Sequence, residues 1–127
     1  MSIRIVRLGS PRAPTEGVRI GTVRRPPRGV PKSEFGSRDY YDVWLPILSP
    51  SLPLMAQAKA AEDAAAWKVF TRKFRAEMDG DASKVLDLLA VLSLTTHFSI
   101  GCYCEHEDHC HRGILRQMLV ERGASIV

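Results

Sequence analysis

Two short runs rich in β-branched residues open the chain. Ile3 to Leu8 and Val18 to Arg24 are predicted strands, and Pro11, Pro14 and Gly17 interrupt the sequence between them. Pro26-Pro27-Arg28-Gly29-Val30-Pro31 cannot continue as a helix or inner strand, because proline removes donors and restricts its neighbours. It is expected as an ordered loop that presents Arg28. Tyr40 to Pro46 is apolar without a clear period, Pro50-Ser51-Leu52-Pro53 reads as a turn leading into a helix, and the Tyr40 to Pro53 segment as a whole is either a lid or a packed loop. Further on, Trp67, Phe70, Phe74 and Met78 recur at three and four residues, which predicts a helix from near Asp63 to Gly80 with these side chains in the core. Asp81 is expected to cap another helix, with Val85, Leu88, Leu89 and Leu92 buried.

The period then changes to two. Phe98, Ile100, Cys102 and Cys104 share one face of a predicted strand, and Ser99, Gly101 and Tyr103 share the other. A helix from about Cys110 to Arg122 would bury Ile114, Leu115, Met118 and Leu119, end at Gly123 and return as a short strand over Ala124 to Val127. Strand, helix and strand in that length make a βαβ unit on a parallel sheet. The expected fold class is a small three-layer Rossmann-like α/β fold with a mainly parallel sheet, formed by one domain over residues 1–127.

Composition narrows the function classes. The chain has 127 residues, 45% hydrophobic and 25% charged, which argues against a disordered or fibrous chain. Three cysteines are too few, and odd in number, for a secreted disulfide scaffold. The first residues lack the apolar run of a signal peptide. The stretch Val85 to Leu94 contains Asp87 and is too short for a bilayer, so a cytoplasmic protein without a membrane partner is expected.

The net charge of +4 is unevenly spread. The first forty residues carry nine Lys and Arg against three acidic groups, and the remainder carry nine against eleven. Eight of the nine early cations are Arg, which suits bidentate recognition of carboxylate or phosphate. Arg-mediated nucleic-acid binding is one alternative, although no helix-turn-helix, zinc-finger or single-strand-binding signature accompanies it.

The chemistry concentrates elsewhere. All three cysteines and three of the four histidines lie between Cys102 and His111, where the predicted last strand gives way to the last helix. The carboxyl edge of a parallel sheet is where open α/β folds bind ligands, and a helix start attracts anions and lowers thiol pKa values. Three readings stay open. In the first, Arg24, Arg28 and Arg112 bind an anionic small molecule bearing phosphate or carboxylate, with Cys104 or Cys110 as a nucleophile and His111 as its base. A redox pair of Cys104 and Cys110 is a variant of it. In the second, Cys102, Cys104, Cys110 and a histidine such as His111 hold zinc, although the spacing is not that of two separated pairs and Cys102 is expected to lie too deep in the strand to share ligation. In the third, the cysteines are core residues without chemistry. His97 is read as structural.

Cys102-Tyr103-Cys104-Glu105 and Cys110-His111-Arg112-Gly113-Ile114-Leu115 resemble motifs of the YeaO-like family, a bacterial domain-of-unknown-function group. Gly17-Val18-Arg19-Ile20, Arg24 and Pro27-Arg28-Gly29 are similar to its N-terminal elements. Trp67 with Phe70, and Phe74-Arg75-Ala76-Glu77-Met78, look like its central helix. The resemblance implies a compact α/β fold and a shared Arg and Cys-His-Arg site, and brings no substrate. Val23 stands where the family has Asp before Arg24, and Pro26 where it has Trp, so an acid at the first position would be lacking here.

Overall fold

The structure is a computed structural model and describes residues 1–127. Strands β1 (Ile3–Arg7), β2 (Val18–Gly21), β3 (Val43–Trp44) and β4 (Phe98–Cys102) form one sheet in the order β1-β4-β2-β3, with every pairing parallel. Helices α1 (Leu52–Ala60), α2 (Ala64–Glu77) and α3 (Asp81–Leu92) lie between β3 and β4, and α4 (His111–Glu121) follows β4. This is a small Rossmann-like α/β fold. No helix is long and apolar enough to cross a membrane. The returning C-terminal strand is reduced to a single parallel bridge between Ile126 and Ile3.

Register explains the layers. Ile3 pairs with Phe98, and Ile20 with Ile100, so their side chains share one face and form the main core with Leu54, Phe70, Phe74, Leu86, Leu115 and Leu119 from the helices. The opposite face carries Arg19 beside Ser99 and Gly21 beside Gly101, and loops cover it. The third layer is therefore irregular chain. At Gly21 a Cβ would overlap the ring of buried Tyr41, so only glycine admits this close packing of loop on strand.

Arg19 organises the loop layer. Its side chain is fully buried, and Nε and Nη2 donate to Glu16 at 2.7 and 2.9 Å. Nη1 donates to the carbonyls of Ser10 and Asp39 at 2.8 and 2.7 Å. Burial alone would raise the Glu16 carboxyl, but hydrogen bonds from Arg19 and Ser99 outweigh it and hold it below the ordinary value. Arg12 is likewise paired, with Asp42 at 2.7 Å and Asp39 at 3.3 Å. Two of the N-terminal arginines are thus neutralised within the fold, which shortens the basic stripe that nucleic-acid binding would need.

The central helices follow the apolar pattern with one shift. Asp63 caps α2 by accepting from the Ala66 amide at 2.7 Å, and Phe70, Phe74 and Met78 are buried as expected. In α3 the stripe differs from the expected set: Ala82, Leu86, Leu89 and Ala90 are buried, while Leu88 and Leu92 are 57% and 37% exposed. Alanines let this helix approach its neighbours closely, and a reading weighted to large residues misses that face. Gly80 rather than Asp81 occupies the N-cap position, and Asp81 begins the first turn, where its charge suits the helix dipole. Gly123, at φ 82°, ends α4 in the left-handed conformation that glycine tolerates.

Candidate functional site

β2 and β4 both discharge their chains at the carboxyl edge of the sheet. From β2 the chain runs into Thr22 to Arg28, and three side chains pin this arm by its carbonyls. His111 Nε2 lies 2.6 Å from the Thr22 oxygen, Trp44 Nε1 donates to Val23 at 2.7 Å, and the Tyr103 hydroxyl donates to Arg25 at 2.9 Å. Arg24 is further fixed by bonds to the carbonyls of Ser49 and Pro50 at 2.9 and 3.2 Å. Arg25 and Arg28 are exposed.

From β4 the chain turns away after Cys102, and Arg112 dictates how. This buried guanidinium donates to the carbonyls of Cys104 at 2.7 Å, Cys102 at 3.3 Å and Glu105 at 3.5 Å, while its Nε has no partner. Burial lowers its pKa from the ordinary value. The side chain braces the thiol loop from behind. The strand ends at Cys102, and Cys104 emerges exposed beyond it, so Cys104 does not share a strand face with Cys102.

The cysteines are arranged differently from the expectation. Cys102 has the parity of Phe98 and Ile100, so it points to the helical side of the sheet, where α4 begins with Cys110 as its N-cap residue. Cys102 and Cys110 are joined by a disulfide. This replaces the expected pairing of Cys104 with Cys110. It also corrects the view that Cys102 is too deep to take part, because both side chains reach the same point from different elements. Two sulfurs and an imidazole come together there: one ligand atom each from Cys102, Cys110 and His111 lies within 4.8 Å of the others. Cys104 is not in that group, so the four-residue metal set reduces to three.

The imidazole is defined by its bonds. A carbonyl can only accept, so Nε2 of His111 carries the proton toward Thr22, and Nδ1 is left as an acceptor 3.8 Å from Cys110 Sγ. Burial pushes the His111 pKa down to about 4, against the hydrogen bond to Thr22, and the charge of Arg112 adds to the fall. The ring is neutral near pH 7.

These segments enclose a cavity of 580 Å³. Arg24, Arg25 and Arg28 line it from the β2 arm, Lys59 from α1, and Cys102, Cys104, Cys110 and His111 from the cluster. Met55, Trp67 and Phe70 supply an apolar wall. Five of the six residues expected in the leading site therefore meet in one cavity, and the exception is Arg112. On the other side of the 104–110 loop, a second cavity of 750 Å³ is lined by Glu105, Glu107 and Asp108, with Arg116 bound to Glu107. Arg24, Arg25, Arg28 and Lys59 thus line the first cavity with all three cysteines, whereas the second gathers three acidic groups with Arg112, Arg116 and Cys110.

Three contributors escaped sequence reading. Lys59 lies on a helix with no pattern linking it to the arginines. Arg25 adjoins Arg24 but carried no distinct signal. Trp67, assigned to the core, is half-buried and stacks on His109 at 4.9 Å between the two cavities. His97 is exposed and lies outside both cavities.

Neither the curated proteins nor the solved structures contain a significant match to this chain. A family model does match, described as the Active DUF488-N3 subclade, and it covers residues 3–123. The matched span runs from β1 through the whole cysteine and histidine cluster to the end of α4, and the chain belongs to this family of domains of unknown function.

Proposed function

We propose that the chain binds an anionic small molecule, bearing phosphate or carboxylate, in the 580 Å³ cavity, and that thiol chemistry acts on it there. The observation that carries this reading is the convergence of Arg24, Arg25, Arg28 and Lys59 with the thiol cluster on one cavity. Arg28 and Arg25 are the exposed donors for the anion. Arg24, held by two carbonyls, keeps part of its guanidinium for the same task. Cys104 is the accessible nucleophile, being exposed and outside the Cys102 and Cys110 contact. His111 Nδ1, 3.8 Å from Cys110 Sγ, is the acceptor for that thiol's proton when the disulfide is reduced. The family description uses the word active, which favours turnover over binding alone. A reducing cytoplasm would keep Cys104 a thiol, and kinship with the YeaO-like proteins belongs to the same reading.

Calorimetric titration with inorganic phosphate and pyrophosphate tests the proposal. Arg28→Ala should weaken binding about tenfold to a hundredfold, the value of one charge-assisted contact. Arg72→Ala, exposed on α2 and outside the cavity, should leave it unchanged. Equal loss in both variants, or no binding by the parent protein, refutes the anion site.

A further inference from the structure

We propose that, once a thiol or phosphine reductant has opened the Cys102–Cys110 disulfide to two thiols, Cys102, Cys110 and His111 form a mononuclear site for a thiophilic divalent ion, zinc by its ligand set, with one coordination position open to the cavity. The inference goes beyond the anion reading and does not depend on it, since phosphate binding through the arginines is measured separately.

Four observations carry it. One ligand atom from each residue lies within 4.8 Å of the others, and two of the three residues are buried. The Cα atoms of Cys102 and Cys110 stand 7.8 Å apart, wider than the about 4.4–6.8 Å of ordinary disulfides. Two zinc–sulfur bonds of about 2.3 Å at a tetrahedral angle need sulfurs about 3.8 Å apart, so the bonded sulfurs must separate on reduction, which the wide backbone spacing permits. His111 shows the outer arrangement of a metal-bound imidazole, donating Nε2–H to the Thr22 carbonyl at 2.6 Å and directing Nδ1 toward Cys110.

The fourth observation concerns charge. Cys102 Sγ accepts from the Cys104 amide at 3.3 Å and from Arg112 Nη1 at 3.9 Å, so donors already face the sulfur that must carry negative charge as a ligand. Two thiolates and a neutral imidazole balance a divalent ion, and each thiol releases one proton as the ion binds. Three protein ligands and one open position is the form that catalytic zinc sites take, as opposed to closed structural ones. All three residues line the 580 Å³ cavity, so the open position faces the space bounded by Arg24, Arg28 and Cys104.

Cobalt(II) is the probe. The full chain is reduced with a phosphine, stripped with chelator and titrated with cobalt(II). One equivalent should give tetrahedral visible bands and a thiolate-to-cobalt charge-transfer band, both displaced by zinc. X-ray absorption of the zinc form should count two sulfurs at about 2.3 Å and one imidazole nitrogen at about 2.0–2.1 Å. Cys104→Ser should keep spectrum and stoichiometry. His111→Gln, which retains a donor toward Thr22 but offers no imidazole nitrogen, should weaken binding at least about tenfold. Cys102→Ser and Cys110→Ser should lose the charge-transfer band, and if either fails to fold by circular dichroism, the sulfur count on the parent protein decides. The proposal is overturned by absent cobalt bands while three free thiols are titrated, by a count of three sulfurs, or by loss of binding in Cys104→Ser.

Discussion

Replacing Glu16 by Gln removes one charge from the buried pair beneath the loop layer without changing its shape. Glu16 Oε1 accepts from Arg19 Nη2 at 2.9 Å and from the Ala13 amide at 3.4 Å, and Oε2 accepts from Arg19 Nε and Ser99 Oγ, both at 2.7 Å. Whichever oxygen becomes the amide nitrogen, it confronts an Arg19 N–H with another donor. The fully buried guanidinium then lacks its counter-ion, and breaking such a pair costs about 3–5 kcal/mol. With an unfolding entropy of about 2.1 cal/mol/K per residue, the melting temperature should fall by about 11–19 °C. Thermal and urea unfolding at pH 7 measure this. Acidification supplies a second arm. The Glu16 pKa is lowered in the folded state, so the unfolded chain binds more protons and this pair's contribution is fully present above about 4.5 and lost as pH falls through the folded value. The gap between parent and Glu16→Gln should therefore close in acid. A loss under about 1 kcal/mol at pH 7, or a gap that persists in acid, refutes the reasoning.

Arg112→Met should lower stability by about 1–3 kcal/mol, because the Cys104 carbonyl loses its donor, and leave phosphate affinity within about threefold by calorimetry. A large affinity loss with an unchanged melting temperature would instead make Arg112 an anion ligand. Tyr41→Phe should raise stability by about 1 kcal/mol, since the Tyr41 hydroxyl is buried without a partner; a measured loss would mean that the hydroxyl is satisfied in solution. Iodoacetate should alkylate Cys104 faster than iodoacetamide does, and saturating phosphate should slow the reaction, as read by intact mass, because the arginines of the cavity attract the carboxylate. Equal rates with both reagents would place Cys104 outside the basic field.

Strand β4 shows where sequence reasoning reaches and where it stops. Period two identifies Phe98 and Ile100 as core residues, and Cys102 shares their parity, although it belongs to a separate buried cluster with Cys110, Leu8, Val23 and Tyr41. Its meeting with Cys110 is therefore legible in principle, because position along a strand does not by itself set depth. The end of the strand was not legible. Arg112, ten residues later, binds the Cys104 carbonyl and draws the chain off the sheet, and no local pattern announces such a bond. The loop layer was hidden for a similar reason. Arg19 reads as one more exposed cation until Glu16, Ser10 and Asp39 are seen around it, contacts set by tertiary packing and not by spacing. The Arg and Cys-His segments were each recognised from sequence, and their common cavity follows from the parallel pairing of β2 with β4, which puts both strand ends at one edge.

That pairing also makes His111 ambiguous unless its two nitrogens are separated. Nε2 holds the Thr22 carbonyl at the root of the arginine arm, and Nδ1 faces Cys110. An alanine at this position removes both functions, so weaker anion binding in His111→Ala could reflect either a loosened arm or lost chemistry. Gln places its amide nitrogen close to where Nε2 stands and presents no lone pair toward Cys110. If the ring only pins the arm, His111→Gln should bind phosphate like the parent and His111→Ala should bind it at least about tenfold more weakly. If Nδ1 also serves thiol or metal chemistry, His111→Gln should keep phosphate affinity yet fail in cobalt binding or in turnover. Equal phosphate affinity in all three proteins would detach the imidazole from the arm, leaving the Trp44 and Tyr103 bonds to hold it.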